Sequence, residues 1–290
     1  MQTNIKNIFG KASLIFALSS VLFISCDKQE IESPDSLKDT PIAIASAGVA
    51  DLTSRAIHNG LLEGTPDADA TMSVWITGSA EKYRADNMKW QHPGTSWYSE
   101  STVLYEGSDN QTICALSPYR EDATIESGVT ITADGVTDYL VASESLITSN
   151  SVNIYMAHAM TKLVLCPTFG SEATGETIAT VEVQNMHTKG SLNINTNSWH
   201  GCEGSASFTM TNNQVIVVPM ESCHSFPMVI TMVSGRIFKA TISLAAVGNK
   251  LESGTQYEIK LQIGKDVVAT GGITAKSWGS PISGGDLMTE

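Results

Sequence analysis

The stretch Gln256–Gly264, "QYEIKLQIG", alternates without a break: Tyr257, Ile259, Leu261 and Ile263 are apolar, whereas Glu258, Lys260 and Gln262 are polar. Successive side chains of an extended chain point to opposite faces, so this period of two predicts a strand with one buried and one wet face. Working outward, short runs rich in Val, Ile, Thr and aromatics recur at intervals of roughly ten residues, separated by clusters of Gly, Asn, Asp, Ser and Pro, the spacing of a sandwich or barrel. The predicted strands are Met72–Gly78, Trp97–Glu106, Gln111–Tyr119, Gly128–Ala133, Tyr139–Glu144, Ala159–Phe169, Thr177–Met186, Gln214–Met220, Pro227–Gly235, Arg236–Leu244 and Gln256–Gly264. Ser234 and Gly235 fall between two of these runs and predict a hairpin turn. A turn or two of helix is expected only around "NIYMAHAMTKLVL" (Asn153–Leu165). The fold class read from this pattern is all-β and antiparallel.

The N-terminus follows different physics. Ser13–Ser25 carries no charge, is preceded by Lys6 and Lys11, and stops at Cys26, which is followed by Asp27, Lys28, Gln29 and Glu30. At about 1.5 Å per residue such a run covers roughly 20 Å as a helix, short of the roughly 30 Å hydrocarbon core. A basic start and a short apolar middle are those of a secretory signal. Leu22, Phe23, Ile24 and Ser25 before the cysteine resemble a bacterial lipobox, with Phe23 where leucine is commoner. The resemblance implies a signal peptide over 1–25 and a mature chain that begins at an acylated Cys26, the lipidation site. Residues 26–40, acidic and poor in large apolar side chains, read as an exposed tether.

Removing the first 25 of 290 residues leaves 265, enough for two domains. The net charge of −13 becomes −15, because Lys6 and Lys11 leave and no acidic residue does. Such a chain lacks the basic footprint of a nucleic-acid binder, and an anionic membrane repels it, so lipid rather than charge holds it there. If Cys26 carries lipid, Cys114, Cys166, Cys202 and Cys223 remain; three pairings are open, with Cys202 and Cys223 nearest in sequence, as is the reading that all four are small buried hydrophobes.

Catalytic signatures are missing: there is no GxSxG, HExxH, phosphate-binding loop or EF-hand loop, and His58, His92, His158, His187, His200 and His224 are scattered. No catalytic residue, metal ligand or cofactor is expected. Trp75, Trp90, Trp97, Trp199 and Trp278 have two readings, a sugar-binding face or core filling.

Four stretches then come in a recognisable order: "YLVASE" (Tyr139–Glu144), "MAHAMTKLVL" (Met156–Leu165), "LESGTQYEIKLQI" (Leu251–Ile263) and "ITAKSWGSPISGGDL" (Ile273–Leu287). With the lipobox and an early "SRA" (Ser54–Ala56), the chain resembles the fimbrillin family, the type V pilins and related surface lipoproteins of Bacteroidales-type bacteria. The resemblance implies two tandem transthyretin-like β-sandwiches of Greek-key type, placed here at 41–165 and 166–290. It also implies a removable first strand at about 41–55, cut by a trypsin-like protease between Arg55 and Ala56. Loss of a strand leaves unpaired backbone groups and bare apolar side chains, which a strand from another subunit can cover. The implied partners are other pilin subunits, outer-membrane lipid through Cys26, the processing protease, and a host or bacterial surface glycan or protein. The implied location is the outer membrane and the cell-surface fimbrium.

After Trp278 the segment "GSPISGGDLMTE" is a poor strand former, which reads as a tip, anchor or accessory subunit rather than a stalk. The alternative function is a stand-alone surface glycan-binding lipoprotein acting through Trp90 or Trp97.

Overall fold

The computed structural model describes residues 34–49, 69–107, 110–173, 175–264 and 268–278. Strands are numbered along the chain. A six-stranded sheet has the order β1 (Ala43–Val49), β7 (Ser151–His158), β6 (Leu140–Leu146), β4 (Thr112–Ser117), β2 (Ala70–Thr77), β3 (Ala85–His92). A three-stranded sheet joins β11 (Ser198–Glu203), β10 (Lys189–Asn193) and β5 (Val129–Thr132). Two four-stranded sheets follow, β12 (Ala206–Thr209), β9 (Ile178–Met186), β14 (Ser225–Met232), β15 (Ile237–Ser243), and β13 (Gln214–Val217), β8 (Thr161–Phe169), β16 (Thr255–Ile263), β17 (Val268–Ser277). Among the described residues the helical pieces are single 3₁₀ turns. The fold is an all-β, mainly antiparallel sandwich architecture, with two parallel pairings, β1 on β7 and β16 on β8.

The alternation in β16 is realised as read: Tyr257, Ile259, Leu261 and Ile263 are buried and face a core shared with Phe226, Met228, Ile230 and Met232 of β14. This core lies between the two four-stranded sheets. At Ser234–Gly235 the chain does reverse; Gly235 takes φ +83°, a left-handed conformation that suits glycine, and its N–H donates to the Met232 carbonyl.

The six-stranded sheet is different, because its central strands β2 and β4 are buried along nearly their whole length. One face carries Met72, Val74, Ile76, Ile113 and Ala115, packed with Trp90, Trp97, Val103 and Tyr105. The opposite face presents Trp75, Cys114 and Leu116 to Val129, Ile131, Leu192, Trp199 and Met160. A strand covered on both sides has no wet face, so Val74, Trp75 and Ile76 follow one another in β2 and the buried Ser73 is tolerated because its hydroxyl bonds the Arg120 backbone. The expected boundary at 165/166 falls within β8, and the three-stranded sheet draws strands from both sides of it.

Two expectations are corrected. Asn153–Leu165 has no helical turn; β7 runs exposed–buried in strict alternation, and the register with β6 and β16 extends it and β8. Trp97–Glu106 is not a strand: Gln91 bridges Tyr98 and Pro41 bridges Leu104, each as an isolated pair. Here Trp97, Val103 and Tyr105 sink into the core while Ser99–Thr102 stays at the surface or half-buried, so the segment wraps the sheet edge instead of joining a ladder.

Candidate assembly interface

Strand β1, "AIASAGV", lies at the edge of the six-stranded sheet and pairs with one neighbour, β7, from Ala43 opposite Ser151 to Val49 opposite Met156. Ile44 and Ala47 point into the core, Ile42 enters just ahead of them, and Val49 and Leu37 pack on its margin. Across the ladder the Ser46 hydroxyl donates to Asn153 Oδ1 at 2.7 Å. Ahead of the strand, Ile42 N–H donates to the Val103 carbonyl and Tyr105 N–H to the Thr40 carbonyl, both at 2.8 Å. Residues 39–49 are therefore zipped in two successive stages, first onto 103–105 and then onto β7.

The entry to this zipper is electrostatically fixed. Lys82 Nζ lies 2.7 Å from Asp39 Oδ1, and the Tyr83 hydroxyl donates to the same oxygen at 2.7 Å. These hydrogen bonds hold the Asp39 carboxyl below its ordinary range. The residues expected to form the end of the tether, Pro34–Leu37, make a 3₁₀ turn, because Leu37 has an apolar surface to cover and Asp39 a cation to meet. Underneath, fully buried Gln111 donates to the Tyr83 and Leu104 carbonyls and accepts from the Glu106 N–H, so the wall receiving residues 39–42 is held by one satisfied amide.

The motif "MAHAM" sits elsewhere, where β7 passes into β8. His158 Nδ1 is 2.5 Å from Asp138 Oδ2, both buried, and the imidazole stacks on Trp278 with centroids 4.0 Å apart and planes 3° from parallel. Lys162 Nζ lies 5.4 Å from the Trp278 ring on its way to solvent. Burial pushes the Asp138 carboxyl above its ordinary range against the opposing pull of His158. His158 is thus a hydrogen-bonded packing residue where the first sheet meets the second sandwich.

Cys26, Arg55 and Ala56 lie outside the described residues. In sequence Arg55 is six residues beyond the end of β1, so a cut after it places β1 on the released piece. Trp75, Trp90, Trp97 and Trp199 are buried, and Trp278 is half-buried under its stack, so of the two readings of the tryptophans the fold takes core filling. Cys114, Cys166, Cys202 and Cys223 are free thiols, and burial pushes Cys114 up to about 12. Among the described residues no group of three or more His, Cys, Asp or Glu side chains could hold a metal ion. Sequence reading missed Asp138, Asp39 and Gln111; each acts through a partner distant in sequence, and the only local signal was the position of Asp138 directly before the quoted "YLVASE".

The described residues thus form an all-β sandwich protein whose strand β1 lies at a sheet edge. The chain belongs to the fimbrillin-like family, whose model matches residues 54–278. That family is structural and adhesive, not enzymatic. No curated protein matches the chain. Among solved structures, it is similar to a candidate cell adhesion protein from Bacteroides uniformis, at 17% identity and TM-score 0.61, over 82% of this chain and 98% of that one. A candidate cell adhesion protein from Bacteroides ovatus gives 17% identity and TM-score 0.64, over 83% and 98%. These likenesses bear on the fold.

Proposed function

We propose that the chain is a structural and adhesive subunit of a cell-surface fimbria, exported as a lipoprotein held at the outer membrane by acylated Cys26. A trypsin-like protease cuts between Arg55 and Ala56, and the body then assembles with other pilin subunits by strand exchange. Its two sandwich units, 41–165 and 166–290, meet through β8.

The observation that carries this reading is the position of β1. It is an edge strand with one partner, it fills the core with Ile42, Ile44 and Ala47, and it precedes Arg55 in sequence. Its departure would bare the β7 backbone and an apolar trough together, the two features that capture an incoming strand. β1 is also held parallel, the slightly weaker pairing, so an incoming strand laid antiparallel would replace it with better hydrogen-bond geometry. Head-to-tail repetition of that contact, which does not close on itself, builds a filament.

The test is limited digestion of the full chain with a trypsin-like protease. A new N-terminus at Ala56 followed by detergent-resistant oligomers is expected. A chain cut there that stays monomeric refutes the mechanism. A stand-alone glycan-binding lipoprotein acting through Trp90 or Trp97 has no support from the fold, since both rings are buried.

A further inference from the structure

Between the β10–β11 hairpin and the loops that lead into β14 and β16 lies a groove of about 490 Å³, lined on one side by Asn197 and Ser198 and on the other by Glu221, Lys250, Glu252 and Ser253. We propose that this groove binds a neutral, hydroxyl-rich ligand, a sugar of one or two rings. The proposal goes beyond the fimbrial reading and does not depend on it, because a chain that never polymerised would carry the same groove.

Three observations converge on that ligand class. The volume falls in the range of small-molecule sites, roughly 300–1,000 Å³. The rim offers donors and acceptors in mixture: an amide, two hydroxyls, two carboxylates and an ammonium. The Ser253 hydroxyl already donates to the Ala159 carbonyl and the Ser198 hydroxyl pairs with Thr196, but both oxygens and the two carboxylates still accept, so sugar hydroxyls can replace the water that a purely apolar ligand would only strip away. Asn197 Oδ1 is buried and makes no hydrogen bond among the described residues, leaving an acceptor that a ligand hydroxyl can meet.

Charge and floor narrow the class further. Lys250 Nζ is 2.5 Å from Glu252 Oε1, so the cation is already matched, and Glu221 leaves the rim with a net negative charge. Phosphate, sulfate and carboxylate ligands are repelled there. The floor is Trp199 with Leu251, both core residues that leave only a narrow apolar edge of the indole for the C–H face of a sugar ring. Trp199 cannot swing away, because its indole N–H donates to the Ala159 carbonyl at 2.7 Å.

Cys202, a half-buried free thiol, also lines the groove and reports on its occupancy. The experiment titrates the full chain with maltose, cellobiose and lactose, and with sialyllactose as the anionic control, by saturation-transfer NMR. A parallel arm follows maleimide labelling of Cys202 and Cys166 by peptide mass spectrometry. Expected are binding of a neutral disaccharide, weaker or no binding of sialyllactose, and slower labelling of Cys202 with Cys166 unchanged. Affinity should fall about tenfold or more in Asn197→Ala and in Glu221→Ala, the scale of one lost ligand hydrogen bond. Glu221 is exposed, so Glu221→Ala keeps the fold even if Asn197→Ala disturbs the hairpin. The proposal is overturned if no neutral disaccharide binds, if sialyllactose binds as well, if Cys202 is not protected, or if Glu221→Ala binds like the parent. None of those results touches the strand-exchange test, which reads assembly alone.

Discussion

Replacing Ile44 by Ala tests whether β1 is a separable element. Ile44 is 3% exposed, is the second residue of β1, lies opposite Val152, and belongs to the core on one face of the six-stranded sheet. Truncating a buried isoleucine costs about 2–5 kcal/mol, and an edge strand can relax over the gap, so ~2 kcal/mol is the working figure. If β1 opens locally, that loss appears in full in its own opening equilibrium, and 1.4 kcal/mol is a factor of ten. Amide exchange of residues 43–49 should therefore quicken about 30-fold. The amides of β16, whose side chains belong to a different core, should exchange at the parent rate. Hydrogen exchange with mass spectrometry on the uncut chain resolves both peptides. Equal acceleration in β1 and β16 would mean that β1 opens only with the whole molecule, and the reasoning about a removable strand would collapse.

Other substitutions probe the same frame. Gly235 and Gly128 both have positive φ, but a Cβ at Gly235 meets nothing within 4 Å, whereas at Gly128 it would lie 2.2 Å from the Leu192 carbonyl oxygen. Gly235→Ala should cost about 1 kcal/mol and Gly128→Ala clearly more, read as the difference in urea midpoints. Asp39 and Asp138 should respond to pH in opposite senses. The depressed pKa of Asp39 gives stability above the unfolded value that is lost as pH falls, so the gap between parent and Asp39→Asn closes on acidification. The raised pKa of Asp138 gives stability below the unfolded value that is lost as pH rises through the folded one, so the parent loses ground to Asp138→Asn as pH climbs. Urea midpoints across the carboxylate range check both signs. Finally, Cys114, whose thiol burial pushes up to about 12, should resist maleimide at mildly alkaline pH in the native chain and react once urea unfolds it.

How much of this was legible in the sequence depended on whether a strand has one wet face. β16, β14 and β15 alternate; the period of two marks β16, and apolar runs bounded by turn residues mark β14 and β15. β3, β10 and β11 escaped because glycine, asparagine, histidine and lysine interrupt their apolar positions, and their pairing is fixed by neighbours rather than by pattern. β7 alternates as cleanly as β16, but its methionine, alanine and histidine imitate helix formers in a short window, and a turn was read there instead. Trp97–Glu106 failed in the opposite way. It has strand-like composition, yet Gln111 takes up its carbonyl at Leu104 and its N–H at Glu106, so the backbone is satisfied without a ladder. The Asp138–His158–Trp278 stack joins residues 20 and 120 positions apart, a contact that no local pattern in one sequence encodes.

The distribution of cores bears on whether such a chain could lose β1 and stay folded. β1 contributes side chains to one core, the one that also holds Trp90, Trp97, Val103 and Tyr105. The joint with the second sandwich rests on a separate core on the opposite face of β2 and β4, and the second sandwich has its own. Buried isoleucines contribute about 1.5–3 kcal/mol each, so Ile42 and Ile44 together carry several kcal/mol that departure of the strand would forfeit. That loss is comparable with the whole margin of a typical domain, but it falls on one face of one sheet. β2 and β4 would keep their opposite face packed and their ladders paired, which preserves the trough in which the next strand must dock. A body built with one undivided core would have no such partition, and removing its edge strand would unfold the acceptor along with the site.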